Sequence, residues 1–143
     1  MAIANNRANR FLDDKDTRIS VGLSMPLGRQ PDGDGYFATT KTTIDAVKED
    51  IKLLLMTEQG ERLFQPNLGM NLKRFLFEQI TENSVIEIEN NIVDTFGKWL
   101  PFVNLSDIDI DITEQDRNKI KIDIEFNLVN APNDLQSVGV VLE

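Results

Sequence analysis

Carboxylates are the side chains of this sequence that could carry chemistry, because histidine and cysteine are both absent. Without an imidazole or a thiolate, the sequence excludes the common zinc sites, the Ser-His-Asp triad and the Cys-His pair. It also excludes disulfides, so folding needs no oxidising compartment. What remains is carboxylate chemistry, lysine or tyrosine chemistry, or no chemistry at all.

Glu61 and Glu78 lie at the edges of apolar stretches and could in principle act as the carboxylate pair of a glycoside hydrolase. A catalytic acid of that kind needs an apolar pocket, and the sequence indicates none around either residue. A backbone cap or an ion pair at Glu61-Arg62 explains the same residues without catalysis. We therefore predict that the protein is not an enzyme, and we keep a hydrolase as the alternative.

Asp107, Asp109 and Asp111 alternate like the start of a calcium-binding loop. In such a loop the sixth position is glycine and the twelfth is glutamate, but this sequence has Ile112 and Asn118 there. The pattern would also force the intervening isoleucines outward. We predict no metal site and no cofactor.

A cluster of large apolar side chains, Trp99-Leu100-Pro101-Phe102, follows a helical pattern and precedes a strand pattern. Such a corner can be part of the core. It can also be a docking patch, because aromatic residues beside a rigid proline make good interface anchors. Both interpretations stay open at this point.

Composition sets the broad class of the protein. The 143 residues, 41% of them hydrophobic, suit one compact domain, which we place at 19–143 behind a polar N-terminal arm at 1–18. The net charge of −9 argues against nucleic-acid binding, which depends on Lys and Arg neutralising phosphates. No apolar segment long enough to span a membrane and no secretory signal is evident, so we expect no membrane partner.

Apolar residues at helical spacing predict three helices. The first begins at Thr42 or Thr43 and ends near Thr57, the second is a short helix over Asn71–Gln79, and the third runs from Thr81 or Ser84 to Trp99. Alternation before them, from Ile19 to Leu23, indicates a short strand.

After Pro101 the apolar period changes from 3.6 to 2, which is typical of strands. Two strands, 107–112 and Ile120–Leu128, flank a polar turn at Glu114–Asn118 and form a predicted β-hairpin. Ala131–Asp134 should end the second strand, and Val138–Leu142 should form a last short strand or tail. The predicted fold is α+β, with three helices packed on a small, mainly antiparallel sheet that includes this C-terminal hairpin.

One stretch of sequence resembles a family signature. A helix ending in Leu-Leu is followed by Thr57-x-x-Gly60-Glu61-Arg62, then Pro66-x-x-Gly69, then Leu76-Phe77-Glu78. In order and spacing this resembles the baseplate-wedge and sheath-initiator family of contractile-tailed bacteriophages, over residues 19–130. The resemblance implies that Gly60, Glu61, Arg62, Pro66 and Gly69 form a structural motif.

The resemblance also implies a function. Members are α+β domains present in several copies in the tail baseplate of the virion, which is assembled in the host cytoplasm. There they dock on the helical core bundle of the wedge and imitate the interlocking part of a sheath subunit, so that the first ring of tail sheath protein forms on them. Relatives occur in type VI secretion baseplates. Two alternatives come from the same family: a baseplate-associated peptidoglycan hydrolase, since some members are labelled lysozymes, and a regulatory anti-adaptor.

Site residues follow from the resemblance as well. Where the family has Glu-Pro-Arg for wedge docking, this sequence has Leu100-Pro101-Phe102, so an apolar contact should replace a charged one. We therefore expect the wedge proteins to bind Trp99, Leu100, Pro101 and Phe102. We expect sheath segments to pair with a free edge of the hairpin, and the alternative is that the chain's own tail, Val138–Leu142, fills that edge. Lys119 and Lys121 should face Asp109 and Asp111 across the hairpin. The expected sheath-binding residues are Asp107, Asp109, Asp111, Lys119, Lys121 and Asp123.

Overall fold

The computed structural model describes residues 19–29, 36–78, 81–112 and 119–142. The predicted arm at 1–18, part of the loop that follows the first strand and the hairpin turn at Glu114–Asn118 lie outside these residues. The chain divides into two compact units, Met1–Asp50 and Ile51–Glu143. The prediction of a single domain over 19–143 stays a prediction.

The first unit contains a two-stranded antiparallel sheet of β1, Gly22–Leu23, and β2, Thr39–Thr40. The alternation at 19–23 therefore predicted the right kind of element, although only two of its residues form the ladder. Helix α1, Thr43–Met56, begins in this unit. Thr42 caps it as expected, because its Oγ1 accepts the backbone N–H of Asp45 at 3.1 Å.

The spacing of apolar residues in α1 is confirmed by burial. Ile51 and Leu55 are fully buried, and Val47 and Leu54 are 5% exposed. The helix ends at Met56, where the hydroxyl of Thr57 donates to the carbonyl of Leu53 at 2.6 Å. A loop of consecutive turns follows.

The second predicted helix is wrong. Within the described residues 71–78, only Lys73–Leu76 is helical, as one 3₁₀ turn closed by hydrogen bonds from Phe75 N to Leu72 O and from Phe77 N to Arg74 O. The helical spacing of apolar residues covers a single turn here, and no side chain caps its start. So short a segment cannot offset the cost of helix nucleation, and burial of Phe75 and Leu76 stabilises a 3₁₀ turn instead.

Helix α2, Glu82–Trp99, matches the third predicted helix. Thr81 is its N-cap and forms a reciprocal capping box with Ser84. Ile88, Ile92 and Phe96 are buried along one face. Pro101 cannot continue the helix, and Leu100 closes it with a hydrogen bond to the carbonyl of Phe96 at 2.8 Å.

The second unit also contains an antiparallel sheet in the order β3-β4-β5. Its strands are Val103–Asp111, Ile120–Leu128 and Ala131–Leu142. The predicted hairpin is confirmed as β3 and β4, but the strand break at Ala131–Asp134 is wrong. This segment begins a twelve-residue strand after a turn at residues 129–130, and Pro132 is tolerated because β5 lies at the edge of the sheet.

The two faces of this sheet differ sharply. Ile108, Ile124 and Val138 form one cross-strand row of the apolar face, and Ile110, Ile122 and Val140 form the next. Most of this face is buried. Together, the antiparallel strands and the two α-helices among the described residues confirm the predicted α+β class. The opposite face is polar.

None of the helices in the described ranges is long and apolar enough to cross a membrane.

Candidate functional site

The family-like motif after α1 forms three consecutive tight turns, Glu58–Glu61, Arg62–Gln65 and Gln65–Leu68, each closed by a backbone hydrogen bond of 3.0–3.2 Å. Gly60 has a φ of +89° in the first turn, and Pro66 lies in the third. The Gly60 N–H donates to the Pro66 carbonyl at 2.8 Å, which closes the whole loop. Sequence reasoning placed these residues in a structural motif, and each lies in this loop.

Gly69 fixes the loop against the end of α1. A Cβ at this position would lie 2.1 Å from the carbonyl oxygen of Thr57, and the residue has a φ of +101°. The same carbonyl accepts the N–H of Met70 at 2.8 Å. Because the two backbones touch here, only glycine fits.

Glu61 and Glu78, the glutamates considered as a catalytic pair, lie on the surface, and Glu61 has a structural hydrogen bond. Glu61 Oε2 accepts the backbone N–H of Glu58 at 3.2 Å, and both Glu61 and Glu78 are exposed. This is the cap that the sequence suggested for Glu61. Asp107, Asp109 and Asp111 lie on the extended strand β3.

The corner after α2 divides the predicted wedge-binding residues into two groups. Leu100 is only 8% exposed, so its side chain belongs to the core and cannot contact a partner directly. Pro101 is exposed, Phe102 is 43% exposed and Trp99 is half-buried. The Lys98 ammonium lies 5.2 Å from the Trp99 ring centre. We call Trp99, Pro101 and Phe102 the corner patch.

The polar face of the second sheet holds most of the predicted sheath-binding residues. Its rows across β3, β4 and β5 are Asp107-Glu125-Ser137, Asp109-Asp123-Gly139 and Asp111-Lys121-Val141. Lys121 therefore faces Asp111 as predicted, but Asp109 faces Asp123 instead of a lysine. Lys119 precedes β4 and lies outside the ladder. We call this the acidic face.

Like charges directly opposite each other weaken a sheet. On the acidic face, Asp109 opposes Asp123 and Asp107 opposes Glu125. Lys121 forms an ion pair with Asp123. The hydrogen bond and charge of Asp123, helped by the charges of Asp111 and Asp109, raise the pKa of Lys121. The face thus favours a basic partner electrostatically.

The sheet edges differ in chemistry. Among the described strands, β4 lies in the middle of the sheet and pairs with β3 on one side and β5 on the other. β3 and β5 are therefore the two edge strands. The edge strand β3 carries three aspartates and a register shift between Leu105 and Asp107. From Leu135 to Leu142, β5 has no charged residue. Charges and bulges protect edges against added strands. The β4–β5 ladder has a register shift of its own between Phe126 and Leu128, so the regular and uncharged part of the β5 edge, residues 136–142, is the more receptive one.

A groove of about 330 Å³ runs beside β3. Val93 and Glu89 of α2 line one side of it, and Leu105 and Ile108 of β3 line the other. The groove is half polar, and sequence reasoning did not find it, because the distance between a helix and a strand edge is not visible in periodicity.

Sequence reasoning also missed two exposed apolar residues in the loop after α1. Leu63 is 89% exposed and Phe64 is 93% exposed. The available signal was the position of two large apolar residues between turn-forming segments.

Comparison with known families matches residues 41–133 to the family described as baseplate wedge protein gp25. Among curated proteins, the baseplate wedge protein gp25 of Enterobacteria phage T4 is 24% identical over 97 residues, which are 68% of this chain and 73% of that protein. The matched region includes α1, the loop of turns, α2, β3 and β4.

Two solved structures have a similar fold. A protein of Geobacter sulfurreducens, provisionally described as a tail lysozyme, aligns over 73% of this chain and 96% of its own, with a TM-score of 0.62 and 22% identity. A chain in the baseplate of the anti-feeding prophage aligns over 83% of this chain and 81% of its own, with a TM-score of 0.55 and 24% identity.

Proposed function

Because this chain belongs to the baseplate wedge protein gp25 family of contractile tails, we propose that it is a structural subunit that holds neighbouring baseplate proteins together. The observation that carries the proposal is the family match over residues 41–133, which includes the corner patch and two of the three strands behind the acidic face. Several copies act in each baseplate, and they are assembled in the host cytoplasm.

The corner patch docks on the helical core of the wedge. Partly exposed aromatic side chains beside an exposed proline provide a preformed apolar contact, while Leu100 holds the corner in place from the core. Because the contact is apolar, wedge binding depends little on salt. The Debye length falls from about 10 Å at 0.1 M to about 3 Å at 1 M salt, which weakens charged contacts far more than apolar ones.

The second sheet receives the first ring of sheath subunits. Its acidic face attracts basic sheath residues, and the uncharged C-terminal part of β5, residues 136–142, offers unpaired backbone groups to an extended sheath segment. The chain's own C-terminal strand already fills the β4 edge of the hairpin, so sheath segments can pair only with the outer edges of the three-stranded sheet.

Catalysis is the weaker alternative. The relative described as a tail lysozyme is similar in fold, and fold alone does not transfer an activity. In this chain Glu61 caps a turn, and Glu78 is exposed on the surface. Both glutamates are exposed, whereas the acid of a glycosidase lies in an apolar pocket.

The proposal is tested by replacing Phe102 with glutamate in a tail-producing strain. Purified baseplates should then lack the protein, since a charge in the corner patch removes an apolar anchor and buries an unpaired carboxylate. Phe102→Leu is the matched control and should be incorporated like the parent. Thermal melts of both purified variants show whether the domain still folds.

Two results would contradict the docking role. One is normal incorporation of Phe102→Glu. The other is loss of incorporation only because the variant unfolds, which would make Phe102 a core residue. Cell-wall cleavage by the purified parent that disappears in Glu61→Gln would support the hydrolase instead. A free monomer bound to one soluble regulatory partner would support the anti-adaptor role.

A further inference from the structure

One glycine interrupts the polar face of the second sheet at its edge. Gly139 lies in the regular part of β5, opposite Asp123 of β4, which in turn lies opposite Asp109 of β3. Residues directly opposite each other on neighbouring strands point to the same face of a sheet, so these three positions form one row. At the edge strand, the row therefore ends in a position without a side chain.

The backbone does not require glycine at this position. Among the described residues, the glycines with positive φ are Gly60 and Gly69, so Gly139 has a conformation that other residues adopt. Glycine provides space here, because an added Cβ would lie 2.5 Å from Oδ1 of Asp123. The carboxylate of Asp123 therefore leans over Gly139, away from the like charge of Asp109. A glycine inside a strand weakens it and often marks a place where a ligand or another backbone approaches closely.

The two oxygens of the Asp123 carboxylate have different surroundings. Oδ2 accepts a hydrogen bond from the ammonium of Lys121. Oδ1 lies above Gly139, on the side of the sheet edge. An ionised carboxylate accepts hydrogen bonds at both oxygens, so the ion pair with Lys121 leaves capacity for a second cation. The Asp123 side chain is 38% exposed, which makes it accessible to a partner.

A strand that pairs with the edge of β5 would extend this row by one position. Neighbouring strands lie about 4.7–4.9 Å apart, and the new side chain opposite Gly139 would point to the same face. Because Gly139 has no side chain, the new side chain can pass over β5 at this point and reach Oδ1 of Asp123. The flexible stem of lysine or the longer side chain of arginine can cross one strand, and both carry the charge that a carboxylate attracts.

We propose that Gly139 and Asp123 recognise a lysine or arginine of the extended sheath segment that pairs with β5. This inference rests on the proposed function, since it takes the added strand to be a sheath segment. The cation fixes the register of that strand, because a slip by one residue would move it to the opposite face.

A second copy of this chain does not supply the cation from its described edge strands. Residues 136–142 of β5 are uncharged, so pairing of two β5 strands would bring no positive charge to Asp123. The other edge strand, β3, carries three aspartates and no basic residue, and it would repel the acidic face. The chemistry of the row therefore favours a different, basic partner.

The test measures the concentration of purified sheath protein that gives half-maximal sheath assembly on purified baseplates. Asp123→Asn removes the charge, and Gly139→Ala displaces the carboxylate. Each should raise this concentration about two- to fivefold, as expected for losing one ion pair at a surface. Asp134→Asn, which removes a charge near the other end of β5, is the matched control and should assemble sheath like the parent.

The double variant shows whether the two substitutions act on one contact. Asp123→Asn/Gly139→Ala should need no more sheath protein than the worse single variant, because the contact can be lost only once. The variants should melt like the parent, since the Asp123 carboxylate is the end of a side chain and can rotate away from an alanine. If Gly139→Ala melts at a lower temperature, Asp123→Asn alone decides. Parental assembly by Asp123→Asn, or losses that multiply in a folded double variant, would overturn the inference.

A photo-crosslinking residue at position 141, in the next row of the same face, then identifies the partner segment. In assembled tails it should link to a sheath peptide with a lysine or arginine two residues from the linked position, because alternate residues share a face. A sheath peptide without a basic residue there, or crosslinks only to a second copy of this chain, would contradict the inference while leaving the structural role in the baseplate intact. If sheath does not assemble on parental baseplates at all, the proposed function fails, and the inference fails with it.

Discussion

Alanine substitutions at Gly60 and Gly69 form a matched pair that tests how the loop after α1 packs. Both residues have positive φ, +89° and +101°, so alanine is strained at either position. That strain costs about 1–2 kcal/mol. At Gly60 no atom lies within 4 Å of an added Cβ, so Gly60→Ala should cost only this amount.

Gly69→Ala adds a steric term. Its Cβ would lie 2.1 Å from the carbonyl oxygen of Thr57, and separating the two backbones should break the 2.8 Å hydrogen bond from Met70 to that oxygen. A buried backbone group left unpaired costs about 1–3 kcal/mol. The sum for Gly69→Ala is therefore about 2–5 kcal/mol.

Urea melts of the parent and the two variants give the free energies of unfolding. We expect Gly69→Ala to be the less stable variant by at least about 1 kcal/mol, with unchanged secondary structure in Gly60→Ala. Equal losses in the two variants would refute the close approach of Gly69 to Thr57, and with it the account of how the motif holds the loop.

Three further predictions concern single residues. Gly97 lies inside α2 with open space around it, so Gly97→Ala should stabilise the protein by about 0.5–1 kcal/mol and raise its melting temperature by a few degrees. An unchanged or lower melting temperature would contradict this prediction. Val141→Lys places a charge on the edge strand β5, so it should reduce sheath assembly but not incorporation into baseplates. The control, Val129→Lys in the turn at residues 129–130, should affect neither. The pKa of Lys121 is raised in the folded state above its ordinary value of 10.5. The ion pair of Lys121 therefore stabilises the fold at pH values below 10.5, and this stabilisation is lost as the pH rises through the folded-state pKa. Unfolding of Lys121→Met should therefore depend less on pH above 10.5 than unfolding of the parent, and parallel pH profiles would show that the pair contributes nothing.

Periodicity predicted the elements whose pattern is long. The stripe of α2 and the alternation of β4 each extend over many residues, so their period is unambiguous. The second predicted helix failed because Leu72, Phe75 and Leu76 fit a 3₁₀ turn as well as an α-helix. The start of β5 was missed because Pro132 reads as a strand breaker, and its tolerance depends on an edge position that only the sheet order reveals.

The candidate surfaces were predicted less completely than the fold. Residue types located the corner and the aspartates, but burial was needed to assign Leu100 to the core and to leave Phe102 accessible. Alternation alone did not determine that Asp109 faces Asp123, because register depends on the turn geometry and on the bulge in β3. Exposure of Leu63 and Phe64 was not predicted, although their position between turn-forming segments was a signal for it.

The central claim, that this chain is a structural part of a contractile-tail baseplate, is tested most directly by a cryo-EM reconstruction of the baseplate from the tail that contains it. We expect the chain in every wedge, with Phe102 and Pro101 against another wedge protein and an extended sheath segment beside β5. A reconstruction of complete baseplates that lacks the chain, or that leaves the corner patch in solvent, would contradict it.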